Sequence, residues 1–526
     1  MNRFRWPVRV PGLLVGIALA IGGRAAQAQP AAQGEWSPVF GTRNVMIHAS
    51  VLPNGKVLFW SRREASDGHD LNPHVCTTRI WDPTKGTADT AFSEPTNQPG
   101  YNLFCSGHSF LPDGRLFVAG GHITDGHGER HATIYNFATD SWTPLGTIPD
   151  MVGGRWYPTV VTLSDGGVLV SLGNGDDGKP NVTQQVWKDG SGWRELTGAS
   201  FVNGPYYPRM HVVSDGHVFM SGPLRFTQFL DTDNAGTWSP FADKIDTRAP
   251  KDYAPSVLYT VSPDDVGKVV YIGGGNAPTN VVEVLDLAKT PLAWAGMDPV
   301  QFKRTQHNGT LLPDGTILVT GGTQGGGAKY AGEMPGFNDL RIGSPIRSAE
   351  LWNPTKPAGQ QWTKMAKAAV DRCYHSTAVL LPDATVLSAG GGEYSPPNNG
   401  TDNLPEDTHK DAQIFSPPYL FAANGTRAAR PDITAAPTEV KYGDAFTVGT
   451  SHPNQIGKVT WIRLSSVTHS FNMNQRMNVL AFMAGMGGLT VTAPADPKRC
   501  PPGHYMLFVL DNSGVPSVAK IVRIHP

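Results

Sequence analysis

Tyrosine and histidine, side chains that can hold an oxidising metal, stand side by side in this chain at Tyr374 and His375. They head the stretch 371–392, DRCYHSTAVLLPDATVLSAGGG, where two apolar runs flank a turn at Pro382-Asp383 and glycines follow. His375 lies seven residues before Pro382, the second residue of that turn. Cys105 holds the same rank before Pro112, and Tyr157 before Ser164. The rank also gives Tyr207 and Gln306, the latter with His307 beside it. Phenolates and imidazoles suit Cu(II) or Fe(III), whereas structural zinc sites use thiolates and imidazoles at short spacings. Adjacent side chains on a strand point to opposite faces. Tyr374 and His375 can therefore share one site only at a strand end, where the backbone bends. A channel lined by assorted polar residues would use similar residue types, and no second histidine holds this rank.

The elements that would position these residues recur along the chain. The phrase Leu111-Pro112-Asp113-Gly114-Arg115-Leu116-Phe117 has counterparts beginning at Leu52, Leu163, Val213, Leu312 and Leu381, and a looser one at Ser262. Pro-Asp-Gly between β-formers is a turn with a mechanism, because proline presets φ and glycine accepts a positive one. Glycine pairs such as Gly120-Gly121 and Gly390-Gly391 close several copies, and a tryptophan-bearing strand often follows. Repeats of roughly 50 to 70 residues match four-stranded blades of the kelch type. The expected fold is all-β: a seven-bladed kelch-type β-propeller over residues 29–425. Residues 422–430, AANGTRAAR, read as a linker. The region 426–526 carries short alternating strands near 445–449, 458–464, 488–492, 505–510 and 519–524, which suit an immunoglobulin-like β-sandwich.

Composition excludes several classes. The 526 residues carry a net charge of −1 with 17% charged residues, which is no footprint for nucleic acid. Arg3, Arg5 and Arg9, an apolar run over 10–23 and the triplet Ala26-Gln27-Ala28 form an export signal over residues 1–28. No later stretch has the length of a spanning helix. A secreted or periplasmic protein follows, neither bound to a membrane nor partnered by nucleic acid, and a monomer is expected. Four cysteines, Cys76, Cys105, Cys373 and Cys500, are too few for a disulfide framework in a chain this long.

Specific motifs resemble those of the radical copper oxidases, the family of galactose oxidase and glyoxal oxidase, over nearly all of 29–526. Phe104-Cys105-Ser106-Gly107 is similar to the family's cysteine motif, and Arg155-Trp156-Tyr157-Pro158-Thr159 to its cross-linked tyrosine motif. Tyr374-His375-Ser376 resembles its Tyr-His pair, and Thr468-His469-Ser470-Phe471-Asn472 the loop that supplies a final histidine. Gly503-His504-Tyr505 and Gly514-Val515-Pro516 match as well. The resemblance implies one copper ion held by Tyr157, Tyr374, His375 and His469. It also implies a thioether joining Cys105 to Tyr157 and carrying a radical, with Tyr374 as proton acceptor. Small aldehydes or primary alcohols would be oxidised by dioxygen, giving hydrogen peroxide.

There are departures. Galactose oxidase has an N-terminal carbohydrate-binding domain, whereas here Gln29 leads almost directly into the expected propeller, and Asn174-Gly175 stands where that enzyme carries the tryptophan stacked over its cross-link. Trp156 precedes Tyr157 instead, as in glyoxal-oxidase-like members, but strand neighbours should point apart. Arg155, Trp156 and His307 are candidate substrate-binding residues, although a structural role for Arg155 is the plainer reading. A Cys373-to-Cys500 disulfide is conceivable. His122, His127 and His131 read as a solvated loop rather than a second metal site. The competing functions are a non-catalytic kelch propeller that binds a glycan or protein, and a carbohydrate alcohol oxidase.

Overall fold

A computed structural model of the chain describes residues 29–62, 76–245, 253–275, 277–324, 345–392 and 408–526. The export signal lies outside the described residues. Six of the seven repeated phrases form the expected tight turn, and the looser copy at Ser262 a longer one, between Tyr259 and Lys268. In the second copy Leu111 N–H bonds Arg115 O at 2.8 Å and Gly114 N–H returns to Leu111 O at 2.9 Å. The turn glycine sits at a positive φ there, +90°, and the seventh copy puts Ala384 at +66° in the same place. Strand-forming residues on either side of each turn then pair as hairpins.

The protein is nearly all β. Antiparallel sheets succeed one another along residues 35–416, most with four strands in sequence order. Their first strands are His48–Val51, Gly107–Phe110, Thr159–Thr162, Arg209–Val212, Ser256–Tyr259, Thr305–Leu311 and Ser376–Leu380. These strands are almost entirely buried. Gly107–Phe110 packs on Thr159–Thr162, and that strand on Arg209–Val212. Ser256–Tyr259 packs on Thr305–Leu311, which meets Ser376–Leu380, which in turn meets His48–Val51 of the first sheet. Two N-terminal pieces, Glu35–Trp36 and Phe40–Gly41, pair with Asp411–Ser416 and complete the last sheet. The two ends of this region are thereby tied by hydrogen bonds.

The C-terminal region forms a five-stranded sheet, ordered Glu439–Lys441, Lys520–His525, Gly503–Asp511, Ile456–Arg463 and Met477–Leu480. A three-stranded sheet of Ala445–Val448, Gly488–Thr492 and Phe482–Gly485 accompanies it. An apolar cluster with Trp461, Val491, Cys500 and Tyr505 joins the two. Two strands leave this unit: Ser466–Thr468 and Phe471–Asn472 extend the first sheet, with His48 opposite Thr468 and Ser50 opposite Ser466. That excursion carries His469 to the inner strands.

No disulfide joins Cys373 to Cys500. Cys373 lies against the Gly322 carbonyl at 3.5 Å, whereas Cys500 is sealed in the C-terminal core, where burial pushes its thiol up to about 11. Among the described residues no helix is long and apolar enough to cross a membrane.

Candidate metal centre

The residues of equal sequence rank share one backbone state. Cys105, Tyr157, Tyr207, Gln306 and His375 have φ of +62°, +66°, +43°, +62° and +66°. For a residue with a side chain this left-handed conformation costs about 1–2 kcal/mol, and such strain gathers at functional sites. The strained residues are chained together. Tyr157 N–H donates to Cys105 O at 2.9 Å, and Tyr207 N–H to Tyr157 O at 2.9 Å. Gln306 N–H donates to Tyr253 O at 2.6 Å. Tyr253 therefore holds the corresponding place in its sheet, without the positive φ. Its sequence rank was hidden because the following turn, Ser262-Pro263-Asp264-Asp265-Val266-Gly267, is longer than the others.

The left-handed residue also reverses a strand rule. Trp156 and Tyr157 were expected to point apart, yet their rings stack with centroids 4.0 Å apart and planes 7° from parallel. Alternation holds only for extended backbone, and Tyr157 is not extended. Tyr374 and His375 come together by the same device, with ring centroids at 3.8 Å. Tyr206 closes the edge of the stack, nearly perpendicular to Trp156 and Tyr157, and its hydroxyl accepts from Asn174 Nδ2 at 2.9 Å.

Three polar atoms from distant parts of the chain meet in this cluster. Tyr157 Oη lies 2.5 Å from Tyr374 Oη, and His469 Nε2 is 3.1 Å from Tyr157 Oη. His375 faces His469 with ring centroids 4.7 Å apart, and Tyr253 Oη is 3.5 Å from Tyr374 Oη. Burial pushes both phenols well above the usual tyrosine range, and the Cys105 thiol beside Tyr157 adds to that effect. Burial likewise pushes His375 and His469 well below the usual histidine range. Both imidazoles are therefore neutral, the state a metal ligand needs. Hydrogen bonding selects the His469 tautomer. Thr468 Oγ1 donates to Ile47 O at 3.0 Å, so it accepts from His469 Nδ1 at 2.6 Å and leaves the Nε2 lone pair facing Tyr157. Two phenols and two neutral imidazoles are a donor set for Cu(II), with no thiolate pair of the zinc type.

Other expected residues lie elsewhere. Arg155 is fully buried, and its guanidinium donates to Leu172 O at 2.9 Å and to Thr183 O. Arg304 and Arg372 repeat this arrangement on Gly321 O and Gly390 O, so Arg155 is a recurring clamp of its sheet rather than a substrate contact. His307 Nε2 is bonded to Ile272 O at 3.0 Å. His127 and His131 are turned to the surface, on Asp176 O and Asp150. His122 is a correction: it is buried, and its Nδ1 lies 3.3 Å from the Trp156 indole nitrogen. Sequence reading passed over His48, whose Nε2 accepts from Cys105 N–H at 3.2 Å. Its only signal was a histidine opening the strand before the first turn.

Known proteins agree with this architecture. The description "Glyoxal oxidase N-terminus" matches residues 267–419, and "Galactose oxidase-like, Early set domain" matches 430–524. Galactose oxidase of Gibberella zeae is 30% identical over 520 residues, covering 93% of this chain and 70% of that protein. Aldehyde oxidase GLOX of Vitis pseudoreticulata is 29% identical, covering 81% and 82% of the two chains. A solved fungal alcohol oxidase in complex with copper aligns with a TM-score of 0.77 at 26% identity, covering 94% of this chain and 100% of that one. Its inner-strand cluster of phenols and imidazoles and its likeness to galactose oxidase over 93% of its length place the chain in the copper radical oxidase family, whose cofactor is one copper ion with a protein radical.

Proposed function

We propose that the protein is an exported oxidase that converts small aldehydes or simple primary alcohols with dioxygen, releasing hydrogen peroxide. The supporting observation is the meeting of Tyr157 Oη, Tyr374 Oη and His469 Nε2 at 2.5 and 3.1 Å, from segments 217 and 312 residues apart. Tyr157, Tyr374, His375 and His469 would hold the copper. The sheets over residues 29–425 are read as seven blades of a kelch propeller, and 426–526 as an immunoglobulin-like sandwich that lends one ligand. The protein would act as a monomer on a small-molecule substrate and dioxygen, with no membrane or nucleic-acid partner.

Copper bound there supplies one oxidising equivalent beside a second stored on the Tyr157 ring, enough for a two-electron oxidation. The chain's own residues do the rest. Tyr374 would take the hydroxyl proton of the substrate, an alcohol's or a hydrated aldehyde's, its oxygen lying against Tyr157 and Tyr253. A thioether from Cys105 to the Tyr157 ring would spread the unpaired electron over sulfur, and the stacked Trp156 covers one face of that ring. Thr468 keeps the His469 Nε2 lone pair directed at the site.

The test is an intact mass of the copper-treated protein, with peroxide release measured over a panel of aldehydes and alcohols, galactose included. A mass lower by two hydrogens, restored in Cys105→Ser, and peroxide from small aldehydes or simple primary alcohols are expected. No mass change and no peroxide would leave a non-catalytic binding propeller. Peroxide from galactose in preference would favour the carbohydrate oxidase.

A further inference from the structure

Three of the left-handed residues share one kind of backbone N–H partner. Tyr157, Tyr207 and Gln306 each donate to the carbonyl of the corresponding residue one sheet back. Cys105 departs from that pattern. Its N–H donates to a side chain, the His48 imidazole, at 3.2 Å. Its carbonyl receives Tyr157 N–H, so the bond to His48 is what holds its other side.

His48 is itself held in one tautomer. Its Nδ1 lies 3.1 Å from His108 Nε2, and His108 Nδ1 lies 2.5 Å from Ser466 Oγ. Ser466 Oγ donates to the His108 carbonyl at 2.9 Å, so it accepts from His108 Nδ1–H. His108 Nε2 is then an acceptor, His48 Nδ1 carries the proton, and His48 Nε2 presents a lone pair to Cys105 N–H. Ser50 Oγ, 3.3 Å from the same His108 Nδ1 and 3.2 Å from Ser466 Oγ, is a second hydroxyl acceptor for that proton. His48, His108, Ser466 and Cys105 are all fully buried, which keeps the imidazoles neutral. Trp60 stacks on His48 at 4.9 Å and 9° and fixes the plane of its ring.

We propose that His48 is a positioning residue for the thioether: it holds Cys105 in the left-handed conformation that presents its thiol to the Tyr157 ring. His108 and Ser466 serve by fixing which His48 nitrogen accepts. The proposal rests on the reading that Cys105 and Tyr157 become joined. In that step a carbon–sulfur bond replaces the thiol S–H and one ring C–H. Two protons and two electrons leave, and dioxygen, the oxidant of the proposed reaction, takes them up as hydrogen peroxide. A misplaced thiol would slow this step while the four metal-binding side chains stayed in position.

The experiment starts from full-length protein produced without copper and follows its intact mass after copper and air are added. His48→Phe keeps a ring against Trp60 but cannot accept a hydrogen bond, and His48→Gln can. His48→Phe is expected to lose the two hydrogens about tenfold more slowly than the unaltered protein, with copper affinity by calorimetry changed less than about twofold. His48→Gln should recover most of the rate. The double variant Ser50→Ala with Ser466→Ala, which removes both hydroxyl acceptors of the His108 proton and lets the His48 proton move, should fall between them, and it carries the test should His48→Phe not fold. A normal rate in His48→Phe, or in the Ser50→Ala and Ser466→Ala double variant, would overturn the proposal. Equal slowing in the Phe and Gln variants would overturn it too, as would a parallel loss of copper binding. If the unaltered protein never loses two hydrogens, the thioether reading itself has failed, and the two failures are thereby distinguished.

Discussion

His211 makes the folded state sensitive to acid in a way that can be measured one residue at a time. It lies on the inner strand Arg209–Val212 and is 6% exposed. Ser221 donates to Arg209 O at 3.1 Å and Ser256 to Ser221 at 2.8 Å, so His211 Nε2–H donates to Ser256 at 2.8 Å. Burial first, and the Arg476 guanidinium second, hold its imidazole down to about 3. In the unfolded chain a histidine titrates near 6.5. Between about pH 6.5 and 4 the unfolded chain therefore binds a proton that the native state refuses, and stability falls as pH falls. The slope is about 1.4 kcal/mol per pH unit, or about 2 kcal/mol lost by pH 5. His108, also held down to about 3 by burial, adds a similar amount. Two such sites matter against a total stability of about 5–15 kcal/mol. The assay is urea unfolding of EDTA-treated protein at pH 7, 6 and 5, so that metal release adds no protons. His211→Gln keeps a donor for Ser256 but cannot titrate. It should lose about 2 kcal/mol less than the unaltered protein between pH 7 and 5. Equal losses in the two proteins would refute the assignment of a neutral, proton-refusing His211.

Three further outcomes follow from the geometry. Thr468→Val removes the acceptor for His469 Nδ1–H and should weaken copper binding about 10–100-fold in a calorimetric titration, where unchanged affinity would count against the tautomer assignment. Trp156→Leu removes the stack and the partner of buried His122 Nδ1, which should cost about 1–3 kcal/mol of stability, while the visible absorbance of the oxidised protein should decay faster. An unchanged decay would remove Trp156 from its role as a cover for the Tyr157 ring. Glu350→Gln leaves the Arg304 guanidinium buried without its carboxylate and should cost about 3–5 kcal/mol by urea unfolding, with a change under about 1 kcal/mol refuting a buried ion pair.

Much of this architecture was legible because its signals are local. The Leu-Pro-Asp-Gly phrase states both a turn and the strands on either side, and counting back from it reached Cys105, Tyr157, Tyr207, Gln306 and His375, which share one backbone conformation. The count failed at Tyr253, where a longer turn displaced the register. Alternation along a strand misled at Trp156, because a positive φ is not written in the residue type of Tyr157. His469 became readable only through its motif, since no local rule says that Ser466–Thr468 leaves its own unit to pair with His48–Val51. His48 was invisible for the same reason. Its partners, Cys105 and His108, are 57 and 60 residues away. The pairing of Glu35–Trp36 with Asp411–Ser416 spans most of the chain and likewise leaves no local trace.

The excursion of Ser466–Thr468 into the first sheet also sets a schedule for biosynthesis. Synthesis proceeds from the N-terminus, so the phenols and His375 exist well before His469 is made. Until the last hundred or so residues emerge and dock, the first sheet lacks its innermost partner and the site lacks one nitrogen donor. On the proposed function, a nascent or truncated chain would have no complete centre with which to generate peroxide. Oxidising power would then be switched on only once the segment carrying His469 has docked on the first sheet.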